Sequence, residues 1–210
     1  MSGRPLQTEA FVLLKRPPTD SFQTFTLFSE EHGALLALQR IAKRSAANHL
    51  VLDLFDEVAV SLETSNQGST WFIKEVRLLA RPANIGRGYE TLRFASVFAT
   101  LIARNPVHED TRASVAALLR TAFPAFAASS RPDIVFFKSL YCFARDEGYP
   151  VKQEWLVSLA PDLRASAEHL LRTPLADLEI LSSKNPESAT HLLLPRLEAY
   201  LRTHTEILLD

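Results

Sequence analysis

The residues before His49 that could do chemistry are mostly cations, and their chemistry would be contact with phosphate groups. Guanidinium and ammonium groups bind phosphate through charge-assisted hydrogen bonds. The cations of this stretch outnumber the carboxylates, and they are Arg4, Lys15, Arg16, Arg40, Lys43 and Arg44 against Glu9, Asp20, Glu30 and Glu31. An ordinary solvated loop is the alternative for the cluster of Arg40, Lys43 and Arg44. The residues alone leave both interpretations open.

Three phenylalanines close to these cations could stack on nucleic-acid bases or pack in a core. Phe22, Phe25 and Phe28 belong to one short apolar run. Aromatic side chains beside cations are typical of single-strand binding. Core packing is the favoured interpretation, because alternation along a strand buries some of the three side chains.

Motifs for catalysis are missing. The sequence contains no GxSxG, GxxxxGK[ST], HExxH or paired CxxC pattern. The histidines are scattered, and no two of them are three or four residues apart. No helix can therefore present two of them to one metal. We predict that the protein is not an enzyme and uses no cofactor or metal.

The remaining reactive residue types favour structural roles. Cys142 is the only cysteine and lies in an apolar stretch, so we expect a buried core thiol. The acidic pairs Asp53/Asp56 and Asp146/Glu147 are expected to be solvated charges. Glycines flank Arg87, and this short motif is expected to be a linker rather than a phosphate cradle.

The elements that must position the cations are short strands. Val, Phe, Thr and Leu are concentrated in three runs at 8–16, 22–29 and 34–40. Pro-rich and Gly-containing turns separate the runs. A fourth strand is predicted within 49–64, with a bend or bulge at Asp56-Glu57. A fifth, at 70–77, places Trp71 and Ile73 on one face. Five strands joined by short turns predict a small barrel or sandwich, and the pattern does not separate an oligonucleotide-binding barrel from an SH3-like one.

Beyond residue 88 the apolar period becomes helical. Helices are predicted from Tyr89 to Arg104, from about Thr111 to Phe123, from Pro132 to about Gly148, at 161–171, at 174–181 and at 187–208. Pro124 is expected to end the second of these, and Pro195 to kink or split the last. The predicted fold is therefore α+β, with domains at 1–81 and 89–210 and a linker at 82–88.

The composition limits which binding surfaces, cross-links and membrane segments the chain can have, but it does not identify a function. The chain has 210 residues and a net charge of −1, so any DNA-binding surface must be a local patch. One cysteine excludes an intramolecular disulfide and a cysteine-rich zinc site. The N-terminal residues have no apolar segment of the secretory kind, and no apolar run is long enough for a membrane span. We expect a soluble, cytoplasmic protein.

The first strands also resemble a known family. The residues concerned are Thr8-Glu9-Ala10, an apolar run ending in Lys15-Arg16, Thr26-Leu27-Phe28-Ser29 and Glu31-His32-Gly33. Together they are similar to the opening of RecO, the bacterial DNA recombination mediator, and weaker similarity continues through 71–81, 89–105 and 136–150. In that family the opening is an oligonucleotide/oligosaccharide-binding (OB) barrel, and a basic loop follows its third strand. Arg40, Lys43 and Arg44 fall where that loop is expected.

The resemblance implies a non-enzymatic function in DNA repair and recombination. RecO-like proteins bind single- and double-stranded DNA, anneal complementary strands and work with RecR. They also bind the acidic C-terminal tail of single-stranded-DNA-binding protein through a helical domain, and help to load the recombinase at gaps. For this chain it implies phosphate contacts by Lys15, Arg16, Arg40, Lys43 and Arg44, and a nucleoid-associated location. Candidate partner-binding cations on the apolar helices are Arg93, Arg104, Lys138 and Arg145.

This sequence departs from the family in two ways. Many members carry a four-cysteine zinc module after the segment that matches 137–150, and here that module is missing. The predicted basic loop also contains only three cations, Arg40, Lys43 and Arg44. These departures motivate an alternative, a protein-interaction adaptor of the same fold with little DNA binding of its own.

Overall fold

The structure is a computed structural model that describes residues 5–41, 50–64, 70–182 and 189–209, without the side chains of 179–182. The described chain forms two compact units. The first is Met1–Pro82 together with Ile102–Arg120, and the second is Ala83–Leu101 together with Thr121–Asp210. Within the described residues, no helix is both long and apolar enough to cross a membrane.

The first unit is built on a five-stranded sheet, as the sequence predicted. The strands are β1 (Pro5–Lys15), β2 (Phe22–Ser29), β3 (Gly33–Arg40), β4 (Glu57–Thr64) and β5 (Trp71–Ala80). Their order is β1-β2-β3-β5-β4, and β4 pairs with β1 to close a barrel. All neighbours are antiparallel except β3 and β5, whose short parallel contact joins Ala37 to Trp71 and Leu38 to Phe72.

The inward row of side chains forms the barrel core. Phe25 and Leu27 on β2 are opposite Ala37 and Leu35 on β3, and all four are buried. Val58, Val60 and Leu62 supply the row on β4. Such alternation buries one face of each strand and leaves the other for solvent or a ligand.

The turn between β2 and β3 has a specific construction. The Ser29 hydroxyl oxygen accepts hydrogen bonds from the backbone N–H groups of Glu31 (3.2 Å) and His32 (3.4 Å). Gly33 follows with a φ of 67°, a left-handed conformation that glycine adopts at little cost. These bonds hold Glu31 at a defined place beside the barrel.

The segment before β4 is not a strand, contrary to the prediction for 49–64. Residues 50–56 form an irregular connection, and regular pairing begins at Glu57. Phe55 in this connection has a φ of 70°, which few non-glycine residues adopt. The buried side chain of Phe55 and the ion pair of its neighbour Asp56 stabilise this conformation.

Asp56 is fully buried, so the predicted solvated charge is wrong at this position. Its carboxylate accepts hydrogen bonds from Arg81 Nε (2.7 Å) and Nη2 (2.5 Å), and from the backbone N–H of Asp53 (2.8 Å). Arg81 Nη2 also donates to the carbonyl oxygen of Val51 at 2.9 Å. The hydrogen bond to Asp56 raises the pKa of Arg81, although burial opposes the shift. This network fixes the connection to the end of β5.

Helices follow the sheet. They are α1 (Tyr89–Arg104), α2 (Arg112–Ala128), α3 (Pro132–Asp146), α4 (Trp155–Ser158), α5 (Pro161–Arg172), α6 (Leu175–Ser182) and α7 (Thr190–His204). Short 3₁₀ turns span Ile85–Arg87 and Glu109–Thr111. Strands followed by helices confirm the α+β class, whereas the predicted domain boundaries stay a prediction.

Two prolines do not end the helices in which the sequence places them. Pro124 lies inside α2 and Pro195 inside α7, so the expected stop at Pro124 is wrong and α7 is not split, whereas a kink at Pro195 stays a prediction. An interior proline costs a hydrogen bond and a backbone clash, about 3 kcal/mol. Buried side chains on both sides of each proline outweigh this cost: Phe123 and Phe126 in α2, and Leu193, Leu197 and Leu201 in α7.

A charged network joins the start of α3 to the start of α7. Arg131 donates to both carboxylate oxygens of Asp133, at 2.9 and 2.7 Å, and the hydroxyl of Thr190 donates to the same carboxylate. Burial alone would raise the pKa of Asp133, but the hydrogen bonds from Arg131 and Thr190 outweigh it and hold that pKa below its ordinary value.

We expect Asp133→Asn to destabilise the second unit by about 2 kcal/mol at pH 7, because hydrogen bonds to a charged group are lost. A lowered carboxyl pKa stabilises the fold above the unfolded-state pKa and loses this contribution as the pH falls through the folded-state value. The difference between wild type and variant should therefore shrink below about pH 4. Urea unfolding at pH 7 and at pH 3 measures the difference in unfolding free energy between the two proteins. An equal difference at both pH values would contradict a stabilising role for the Asp133 carboxylate.

Candidate nucleic-acid interface

The outward row of the barrel on β2, β3 and β5 contains two phenylalanines in contact. Residues opposite each other in register project to the same face of a sheet. Phe22 is opposite Arg40 on β3, and Leu38 of β3 is opposite Phe72 of β5. The rings of Phe22 and Phe72 are 5.7 Å apart between centroids and tilted by 53°. Both side chains are half-buried, so each ring keeps part of its surface open.

Two cations lie on the same face of the barrel as this aromatic pair. The backbone N–H of Arg16 donates to the carbonyl oxygen of Thr24 at 3.0 Å, and Thr24 is opposite Leu38. Arg16, Thr24, Leu38 and Phe72 are therefore aligned across the end of β1 and strands β2, β3 and β5, with Arg16 and Phe72 at the two ends. Arg16 and Arg40 are exposed, and neither forms an ion pair with any residue in the described part of the chain. We call Phe22, Leu38, Phe72, Arg16 and Arg40 the aromatic face.

The other predicted DNA-contact residues lie elsewhere. The ammonium of Lys15 is 3.2 Å from the carboxylate of Asp53, so part of its charge is neutralised within the protein. Lys43 and Arg44 lie outside the described residues, as does Arg4. The structure thus brings together Arg16 and Arg40 from the predicted set.

Of the three phenylalanines weighed for stacking, two belong to the core. Phe25 is 0% exposed and Phe28 is 1% exposed, which confirms core packing for both. Phe22 is the exception. The sequence analysis did not identify Phe72 as a stacking residue. Its prediction that Trp71 and Ile73 share one face of β5 nevertheless places Phe72 on the other face.

Three of the four candidate partner-binding cations on the helices, Arg93, Lys138 and Arg145, have partners within the protein. Arg93 pairs with Glu90 at 2.7 Å and lies 4.0 Å from the ring centroid of Phe94. Arg145 pairs with Asp146 at 2.7 Å. Arg104 is exposed at the end of α1 and belongs to the first unit, whereas the other three belong to the second.

Lys138 has a structural role. Its ammonium donates to the carbonyl oxygens of Leu170 (3.0 Å) and Thr173 (2.7 Å), which caps the C-terminal end of α5. Burial lowers the pKa of Lys138. Because its hydrogen bonds are made inside the protein, Lys138 is a poor candidate for a partner's carboxylate.

The described residues include metal-ligating residue types and the single cysteine of the chain. No group of three or more His, Cys, Asp or Glu side chains is close enough there to hold a metal ion. Cys142 is half-buried rather than the core thiol expected, because it lies at the margin of the buried stripe of α3. Burial raises the pKa of its thiol, and the nearby Arg145 opposes the shift only in part.

Comparisons with known proteins supply no relative for this chain: no protein-family model matches it, and no curated protein matches it. The resemblance to the RecO family therefore stays a prediction. Among the described residues, the aromatic face is the best-supported candidate site. It carries partly exposed aromatic rings together with two arginines that form no ion pair with any described residue.

Proposed function

We propose that this protein binds single-stranded DNA on its aromatic face and acts as a RecO-like mediator of DNA repair and recombination, without an enzymatic step. The contact between Phe22 and Phe72, on the same face as Arg16 and Arg40, carries the proposal. Single-strand binding proteins combine such features, since bases stack on aromatic rings while cations follow the backbone.

The strand order supports an OB-fold for the barrel. OB-folds are five-stranded Greek-key barrels that bind oligonucleotides on the face of strands 2 and 3. In this chain β2 and β3 supply Phe22, Leu38 and Arg40 to the aromatic face. The candidate face and the expected ligand-binding face of the fold therefore coincide.

The chemistry of the proposed function is positioning and charge neutralisation. Guanidinium groups of Arg16 and Arg40 pair with phosphates and release counterions. Base stacking on Phe22 and Phe72 holds an unpaired strand extended, so that a complementary strand can form base pairs with it. Annealing needs no nucleophile and no general base. From the resemblance we also propose binding to double-stranded DNA, to RecR and to the acidic C-terminal tail of single-stranded-DNA-binding protein.

Fluorescence anisotropy with a labelled single-stranded oligonucleotide, titrated at several salt concentrations, tests the proposal. Affinity should fall steeply with salt. The charge reversals Arg16→Glu and Arg40→Glu together should weaken binding for every sequence, and each should flatten the logarithmic salt slope by about one unit. The pair Lys43→Glu and Arg44→Glu tests the predicted loop in the same way.

The matched control reverses Arg87 and Lys152, two exposed cations of the second unit. It changes the net charge by the same amount and should leave most of the affinity intact. An equal loss of affinity in the control variant would mean that net charge, rather than the aromatic face, determines binding. Absence of binding at low salt would contradict the proposed function.

A second candidate function is the adaptor, favoured by the ion pair between Lys15 and Asp53 and by the net charge of −1. It predicts negligible DNA binding at physiological salt together with measurable affinity for RecR or for the acidic tail peptide. Loss of both protein interactions would exclude it.

A further inference from the structure

A groove lies on the outer surface of β1, β4 and β5, on strands other than β2 and β3. Its volume is about 620 Å³. The residues that line it are Gln7, Thr8, Glu9, Glu31, Ala59, Val60, Ser61, Glu75, Val76 and Arg77. We call it the acidic groove. All of these residues belong to the first unit.

Strand register explains the shape of the acidic groove. Glu9, Ala59 and Arg77 are opposite one another across β1, β4 and β5. Gln7, Ser61 and Glu75 form the next row in the same way. The small side chains on β4 make a floor, and the long side chains on β1 and β5 make two walls. Strand spacing places these walls about 10 Å apart, enough for one extended chain between them.

Charge in the acidic groove is negative and poorly compensated. Glu9 on the β1 wall and Glu75 on the β5 wall form no ion pair with any described residue, and neither does Arg77, which is also on the β5 wall. The carboxylate of Glu31, in the β2–β3 turn, pairs with the imidazole of His32 at 3.4 Å, and the backbone carbonyl oxygen of Glu31 accepts a hydrogen bond from Arg112 Nη1 at 3.1 Å. Arg112 does not line the groove, so the lining holds three carboxylates against one guanidinium and repels phosphate.

We propose that the acidic groove binds an extended segment of a partner protein that carries arginine or lysine at alternate positions. The two rows of the groove are two residues apart along each strand, which is about 6.8 Å. Side chains at positions i and i+2 of an extended peptide have the same spacing, so two cations meet the rows of Glu9 and Glu75. Arg77 then donates hydrogen bonds to a carbonyl or carboxylate oxygen of the same segment. The volume is also within the usual range for ligand sites, about 300 to 1,000 Å³.

The probe for this test is a fluorescein-labelled peptide in which arginine and threonine alternate. Its control is the same peptide with citrulline in place of arginine, which keeps the side-chain size and removes the charge. Anisotropy titrations with the full chain at low and physiological salt compare the two. The arginine peptide should bind more tightly by about tenfold, as expected for two partly exposed ion pairs.

Variants of the protein localise the binding. Glu9→Gln with Glu75→Gln removes both carboxylates without changing the shape, and should lower affinity about tenfold. Ser61→Trp fills the floor without changing the charge, and should have a similar effect. The matched control, Asp20→Asn with Glu30→Gln, neutralises two exposed acids of the same unit outside the groove and should change affinity less than twofold.

Three outcomes would overturn the proposal: no binding of the arginine peptide at low salt, equal binding of the citrulline peptide, or equal losses in the groove and control variants. Thermal unfolding of each variant establishes that it is folded. Because the groove and the aromatic face share no residue, an oligonucleotide titration of the Glu9/Glu75 variant separates failure of this proposal from failure of DNA binding.

Discussion

Replacing Arg81 by leucine is expected to destabilise the first unit by about 3 kcal/mol, because it leaves a buried carboxylate without its cation. The side chain of Asp56 is 0% exposed, whereas that of Arg81 is 39% exposed. Loss of the guanidinium therefore leaves an ion that cannot reach water. The backbone N–H of Asp53 still donates to the Asp56 carboxylate, which moderates the loss.

Urea unfolding at neutral pH measures this effect, and a second substitution identifies its cause. Adding Asp56→Asn to Arg81→Leu should recover part of the stability, because no charge is then buried unpaired. Arg77→Leu is the matched control, since Arg77 is an exposed arginine of β5, the strand that Arg81 directly follows. It should change stability by less than about 0.5 kcal/mol. Equal losses in the two single variants would contradict the role given to the Asp56–Arg81 pair.

Replacing Phe22 and Phe72 together by alanine is expected to lower affinity for single-stranded DNA by at least roughly 30-fold. Stacking on one aromatic side chain contributes about 1 to 3 kcal/mol per base. The salt slope should stay unchanged, because the substitutions remove no charge. The constant slope distinguishes this variant from the charge reversals at Arg16 and Arg40, which should also lower affinity but flatten the slope.

Tyr89 provides the control for the aromatic substitutions. It is 77% exposed and belongs to the second unit, so Tyr89→Ala removes an accessible ring that is not one of the residues of the aromatic face. Anisotropy titrations with one oligonucleotide compare the variants, and thermal unfolding establishes their folding. Unchanged affinity in the folded Phe22/Phe72 variant would exclude the aromatic face as the binding site.

Local patterns in the sequence predicted the strands and most helices. Period two along β4 and turn residues between β1, β2 and β3 are short-range signals, and the structure contains those strands. Pro124 and Pro195 misled the prediction, because local propensity takes no account of the burial of Phe123 or Leu197. Tertiary packing outweighed the cost of both prolines.

The candidate site depended on contacts that no local pattern contains. Phe22 and Phe72 meet because β3 and β5 pair in parallel through two residue pairs, and barrel closure sets that register. Asp56 looked like a surface acid, since its partner Arg81 is distant in sequence. Apart from 50–56, most residues of the sheet were predicted in the correct strands, whereas contacts between strands depended on the folded barrel.

The most direct test of single-strand binding compares two ligands on the unaltered protein. One is a labelled single-stranded oligonucleotide, and the other is an abasic strand of the same length with the same phosphates. If bases stack on Phe22 and Phe72, the abasic strand should bind at least about tenfold more weakly, with the same salt slope. Equal affinities would contradict stacking on the aromatic face and leave only charge attraction.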